Sequence, residues 1–199
     1  MGFLVVDEVF DSWLSKKTPL DFHLIFPDWH EQDLRAMLRR DRNHPSIVLW
    51  SIGNEVGEQY AGEAGADIAR ELVGIVREED PTRPTTTAMN WAKPDMPLPG
   101  VVDVINVNYQ GAGIRSLPGQ FPAFREKFPD KAILSSESAS ALSSRGEYQF
   151  PVTGALSASV RPGAGGDPKT GQVSAYELHA SDFGTSADRS FAAHEQYPW

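Results

Sequence analysis

Apolar residues fall in short runs along the first 137 positions, and each run ends in a polar residue. Phe3 to Val6 is followed by Asp7-Glu8, and Ile47 to Trp50 by Ser51-Ile52-Gly53-Asn54-Glu55. Thr85 to Met89, β-branched and short, leads to Asn90-Trp91. Val101 to Val107 leads to Asn108-Tyr109, and Lys131 to Ser136 to Glu137. Between the runs the apolar period changes from strand-like to helical. Asp28, three residues before Glu31, predicts a capped helix start, with Leu34, Met37 and Leu38 on one face and Pro45 as the stop. Gly62 to Glu79 predicts a second helix, with Ile68, Leu72, Ile75 and Val76 as its stripe and Pro81 after its end. Pro94, Pro97 and Pro99 predict a loop, and Phe121, Phe124 and Phe128 predict a further helix.

Five strand-plus-crossover units result. Short strands, apolar throughout and separated by helices, predict an α/β fold with a parallel sheet covered on both faces. Polar residues at successive strand ends place a candidate site at the C-terminal rim of that sheet. After Glu137 the chain becomes rich in Ser, Ala and Gly, with Pro162-Gly163-Ala164-Gly165-Gly166 in its middle. This tail is too long for an ordinary loop. It reads as an elaborated rim loop or a partly disordered segment, with a helix expected over Ala187 to Gln196. A core strand at the very first residues, without lead-in, suggests a chain that has been cut.

Composition narrows the function classes. The chain has 199 residues, 40% hydrophobic and 23% charged, as in a globular domain. A net charge of −9 argues against a nucleic-acid partner and against a basic membrane-binding patch. No cysteine is present, so disulfides and thiolate metal sites are excluded. No apolar run approaches the ~18 residues of a membrane span. His23, His30, His179 and His194 show no i,i+4 pairing, and no metal site is expected.

The strongest candidate chemistry is a pair of glutamates, Glu55 and Glu137, each at the end of a strand. A carboxylate beside an amide suits glycosidic bond cleavage: the carboxyl reaches the glycosidic oxygen and the amide holds a sugar hydroxyl. Retaining glycosidases hold two carboxylates about 5–5.5 Å apart. Either glutamate alone reads more readily as an ion-pair partner.

The stretch Arg42-Asn43-His44-Pro45-Ser46-Ile47-Val48-Leu49-Trp50-Ser51-Ile52-Gly53-Asn54-Glu55 resembles the acid/base signature of glycoside hydrolase family 2, which holds β-galactosidases, β-glucuronidases and β-mannosidases. Gly2 to Glu8 resembles the third strand of that family's barrel, Val104 to Tyr109 the sixth, and Ile133 to Glu137 the seventh. The resemblance implies a partial (β/α)8 TIM barrel, about strands 3 to 7, over residues 1–145. Residues 146–199 would be an extended rim loop or tail leading toward a missing eighth strand. It implies a retaining, β-galactosidase-like hydrolase, with Glu55 as acid/base and Glu137 as nucleophile. The charge of Glu137 would raise the pKa of Glu55 until the first step consumes it. Asn54 would bind the hydroxyl next to the anomeric carbon, and Tyr109 would hydrogen-bond the nucleophile. The substrate would be a carbohydrate, a β-glycoside, and the mechanism requires no cofactor. Some members bind magnesium through Glu-x-His after the third strand. Ser12 and Leu14 stand at those positions here, so no metal is expected.

Three further readings stay open. Asp7-Glu8 either binds sugar at the rim or pairs with Arg42. Asn90-Trp91 either forms a sugar-binding and stacking platform or belongs to the core. Strands three to seven alone would leave two open sheet edges. That predicts self-association, or docking of a complementing fragment, and leaves a non-catalytic or carbohydrate-binding remnant as the alternative to an enzyme.

Overall fold

The computed structural model describes residues 2–108 and 120–137. Residues up to Asn108 and from Pro122 to Ser136 form one compact unit. Glu137 and the segment before Pro122 belong to a second, most of which lies outside the described residues. So do Tyr109, the whole tail from 138, and the expected boundary at 145/146.

Five strands form one sheet, β1 Val5–Glu8, β2 Ile47–Asn54, β3 Thr85–Met89, β4 Ile105–Val107 and β5 Ile133–Leu134. They lie side by side in chain order, and all four pairings are parallel. Helices α1 Phe26–Asp41, α2 Glu63–Glu79, α3 Leu98–Val101 and α4 Phe121–Lys127 lie in the connections. The expected alternation is therefore present. Sequence order matching spatial order is what a barrel wall requires.

Local details depart from expectation in instructive ways. Helix α1 begins at Phe26, with Pro27 in its first turn, so Asp28 sits inside that turn and not at the cap. A proline with fixed φ starts the helix, and the carboxylate then meets the positive end of its dipole. The proline-rich loop contains the short helix α3. Strand β3 is not apolar: Thr85, Thr86 and Thr87 are all fully buried. Each hydroxyl finds an acceptor, on Asp103 Oδ2 (2.8 Å), the Val104 carbonyl (2.8 Å) and the Gly53 carbonyl (2.8 Å). Burial without those bonds would cost about 1–3 kcal/mol per hydroxyl.

Helix α2 buries Ala66, Ala69, Leu72, Val73, Ile75 and Val76. Its last turn is tied to α1 through Glu79, which accepts from Arg35 and Arg39. Those hydrogen bonds, Arg39 foremost, lower the Glu79 carboxyl to about 2. Arg42 donates to the Glu79 carbonyl and lies 3.6 Å from its carboxylate, so the alternative pairing of Arg42 with Asp7-Glu8 is replaced by this one. Past α2, Asp80 accepts from the indole of the fully buried Trp50 at 2.9 Å, and from Thr82 and Arg83.

The β1–α1 connection is held by rings. Phe10 stacks on Phe22 at 5.2 Å and meets Phe26 edge-on at 5.5 Å. Asp21 gathers the backbone N–H groups of Lys17, Thr18 and His23, and the Ser12 hydroxyl. The N–H of Thr18 is the largest cause holding that carboxyl far below the usual range. This knot delivers Phe10 and Trp13 to the end of β2. Strand β1 is an outer strand, and Phe3 and Leu4 before it are 70% and 76% exposed.

Candidate active site

The end of β2 has little freedom. Trp13, fully buried, donates its indole N–H to the Ile52 carbonyl at 2.8 Å. A Cβ at Gly53 would lie 2.9 Å from that nitrogen, so the close approach requires glycine. The register with β3 shifts between Ser51 and Asn54. The chain is then held from both sides: Asn54 N–H donates to the Phe10 carbonyl and Glu55 N–H to the Ala88 carbonyl, each at 2.8 Å. Glu55 itself has φ 48°, a left-handed conformation that costs a non-glycine residue about 1–3 kcal/mol. Strain of this kind concentrates where a side chain must point in one direction.

That direction is toward the ends of β3 and β4. Asn90 Nδ2 donates to Glu55 Oε2 at 2.8 Å, and Asn108 Nδ2 donates to Glu55 Oε1 at 3.1 Å. Asn108 also reaches Asn54 Oδ1 at 3.3 Å and is fully buried. Behind Asn90 stands buried Gln59, on the 3-10 turn Gly57–Tyr60. It donates to Asn90 Oδ1 at 2.7 Å and accepts from the N–H groups of Trp91 and Ala92. Behind Asn108 stands Ser136, just past β5. Its hydroxyl donates to Asn108 Oδ1 at 2.9 Å and accepts from Asn106 Nδ2 at 2.8 Å. Four adjacent strand ends thus supply one polar cluster.

The cluster's outer edge is charged. Asn54 donates to Asp11 Oδ1 at 3.1 Å, and Lys17 Nζ bridges Asp11 Oδ1 (2.8 Å) and the Asn54 carbonyl (2.6 Å). Trp91 is 43% exposed beside Asn90, and so is not a core residue. Glu137 directly follows Ser136 in the chain and is half-buried. Tyr109 lies outside the described residues. Of the two positions that replace a Glu-x-His pair, Ser12 is buried on Asp21 and Leu14 is exposed.

Asp7 is not brought to this cluster. It pairs in register with Trp50, in mid-strand, and lies beside Asp41 at the far end of α1. Burial first, then the Asp41 carboxyl, raises its pKa. Its neighbour Glu8 accepts from the Ser51 hydroxyl at 2.5 Å.

Asn54, Glu55, Asn90 and Trp91 are candidates from the sequence that the structure gathers. Asn108, Gln59, Asn106, Ser136, Asp11 and Lys17 were not singled out. Asn108 and Ser136 carry the signal of a polar residue at a strand end. Gln59 carries none, because it lies on a turn with no periodicity.

The geometry is that of a carboxylate aimed by amides at a strand-end rim, able to exchange a proton with a bound molecule. Comparison with known proteins gives it a context. The model of the family "Glycosyl hydrolases family 2, TIM barrel domain" matches residues 26–152. Beta-galactosidase BoGH2A of Bacteroides ovatus is 39% identical, over 76% of this chain and 21% of that protein. A beta-glucuronidase of Streptococcus agalactiae is 33% identical, over 69% of this chain and 26% of that protein. A crystal structure of a glycosyl hydrolase family 2 member from Bacteroides cellulosilyticus superposes with a TM-score of 0.61 at 35% identity. It covers 69% of this chain and 17% of that one. The chain therefore spans about a quarter or less of these relatives.

Proposed function

This chain belongs to glycosyl hydrolase family 2, its strands being part of that family's TIM barrel, and we propose that it carries the two reacting carboxylates of a retaining β-glycosidase. Glu55 is the acid/base and Glu137 the nucleophile. The observation that carries the reading is the left-handed, doubly amide-bound Glu55 at the rim.

In the first step Glu137, ionised, attacks the anomeric carbon while Glu55 gives its proton to the leaving oxygen. A glycosyl ester on Glu137 results. Glu55, now a carboxylate, takes a proton from water, and that water displaces Glu137 with net retention. Retaining glycosidases in general hold the two carboxyl groups about 5–5.5 Å apart. Asn54 binds the hydroxyl next to the anomeric carbon, Tyr109 hydrogen-bonds the nucleophile, and Trp91 offers an exposed ring face for a pyranose. Asn90 contributes by holding Glu55, and Asp7, away from the rim, takes no part.

The substrate is a β-glycoside. A β-galactoside is the first choice, since the beta-galactosidase relative aligns over most of this chain, and a β-glucuronide is the second.

A second reading, a piece that acts only once further strands complete the barrel, is favoured by the exposed apolar residues Phe3, Leu4, Val5 and Val6 at outer strand β1. One experiment addresses both. Aryl β-galactoside, β-glucuronide and β-mannoside are offered to the chain alone and to the chain extended with the remaining barrel strands of a family relative. Product stereochemistry is read by NMR. Hydrolysis with retention in either form supports the proposal, and activity only after extension selects the second reading. A folded, extended chain that cleaves none of the three, or inverts, contradicts it.

A further inference from the structure

Both amide chains that reach Glu55 begin at backbone N–H groups, and this fixes their polarity. The N–H groups of Trp91 (3.0 Å) and Ala92 (3.1 Å) can only donate, so the Gln59 atom facing them is its oxygen. Gln59 Nε2 then faces the Val56 carbonyl (3.1 Å) and Asn90. Asn90 must meet it with Oδ1, which leaves Nδ2 toward Glu55. On the other side Ser136 N–H donates to Asn106 Oδ1 at 2.9 Å, so Asn106 Nδ2 donates to the Ser136 hydroxyl. The hydroxyl proton goes to Asn108 Oδ1, leaving Asn108 Nδ2 toward Glu55. Each chain ends in a donor.

We propose that Gln59 is a positioning residue for Glu55: it holds the Asn90 side chain so that an N–H, and not a carbonyl oxygen, meets the reacting carboxyl. Gln59 acts through Asn90. A donor there favours the carboxylate form of Glu55 over the acid. The carboxylate is the form the second step needs, when Glu55 takes a proton from water. The inference rests on the reading of Glu55 as acid/base, but its test needs no substrate.

The test follows the Glu55 carboxyl by carbon-13 NMR in the 199-residue chain, assigned by Glu55→Gln. Gln59→Leu is neutral and leaves every charge of the protein in place, including Asp11 and Lys17 at the same rim. It should raise the proton affinity of Glu55 about tenfold. Asn90→Ala should raise it as well, and adding Gln59→Leu to Asn90→Ala should change nothing further. A folded Gln59→Leu protein with unchanged Glu55 titration overturns the proposal. So does a shift of equal size when Asn90 is already gone, because a merely structural role would persist there. Should Gln59→Leu not fold, the unsubstituted chain decides. Its Asn90 Nδ2 protons should be protected from solvent exchange, and free exchange overturns the assignment. Because titration is read without turnover, the shift together with a folded, extended chain that cleaves no glycoside would count against the glycosidase reading and leave the coupling of Gln59 to Glu55 standing.

Discussion

Asp80 joins three parts of the fold, and removing its carboxylate tests how the sheet is tied to its helices. Its Oδ2 accepts from the Trp50 indole and from Arg83, and its Oδ1 from the N–H and hydroxyl of Thr82. Arg83 in turn donates to the Ile47 carbonyl at 2.8 Å, so the same node reaches the start of β2. Asp80→Ala leaves a fully buried indole N–H and a half-buried guanidinium without this acceptor. The first costs about 1–3 kcal/mol, and loss of one partner of a buried ion pair brings the total to about 3–5 kcal/mol. Asp80→Asn keeps the shape but turns an NH2 toward groups that mostly donate, so it should cost about 2 kcal/mol.

The pH dependence separates charge from packing. Burial raises the Asp80 carboxyl, yet the bonds from Thr82, Arg83 and Trp50 outweigh it and bring the group from 3.8 down to about 2. A depressed carboxyl stabilises the fold above its unfolded value and loses that contribution as pH falls through its folded value. Nearly two pKa units correspond to about 2 kcal/mol. Urea unfolding, followed by tryptophan fluorescence, should show the gap between wild type and Asp80→Asn narrowing by about that amount from pH 5 to pH 2. A gap that stays constant across this range, or no gap at pH 5, would refute the assignment of Asp80 as an ionised anchor.

Two glycines should respond oppositely to alanine. A Cβ at Gly65 would lie 2.1 Å from the Glu58 carbonyl, so Gly65→Ala should destabilise by about 1–3 kcal/mol, whereas Gly74, in the same helix with open space around it, should gain about 0.5–1 kcal/mol; urea midpoints decide both. In a chain that turns over, Glu137→Gln should abolish hydrolysis, while Glu55→Gln should spare the first step for aryl glycosides with good leaving groups, and azide should partly rescue Glu55→Ala; steady-state kinetics check this. Self-association through the exposed β1 side should fall in Leu4→Lys, read by sedimentation, and an unchanged mass distribution would remove that surface from the interface.

The legible part of the fold was the part governed by period. Helix α2 could be read almost to its ends because a long apolar stripe is bounded by Gly62 and Pro81. The parallel sheet of five strands followed from short runs alternating with helices, while its strand order was implied only by the resemblance to a barrel. Strand β3 was legible as a strand but not as a polar one, because the acceptors for Thr85, Thr86 and Thr87 lie on other segments, Asp103, Val104 and Gly53. The start of α1 was misplaced because Asp28 matches a capping box in sequence while Pro27 decides the first turn. At the site, Glu55 and Asn54 stood out because a polar pair ended a buried run. The left-handed conformation of Glu55 and the support of Gln59 did not. Gln59 and Glu55 meet Asn90 across more than thirty positions of chain, which no local pattern records. Asp7 shows the converse: its place next to Glu8 suggested the rim, but alternation along β1 turns it to the face shared with Asp41.

The central proposed step is the formation of a glycosyl ester on Glu137 while Glu55 moves the proton. An activated 2-deoxy-2-fluoro β-galactoside slows the second step and lets that ester accumulate. The chain, extended with further barrel strands of a family relative, is incubated with this reagent, digested and analysed by mass spectrometry. One added fluoroglycosyl group is expected, located on Glu137, and it should still form in Glu55→Ala because the activated leaving group needs little protonation. A label on any other residue, or a folded protein that hydrolyses the parent galactoside yet never acquires the label, would contradict it.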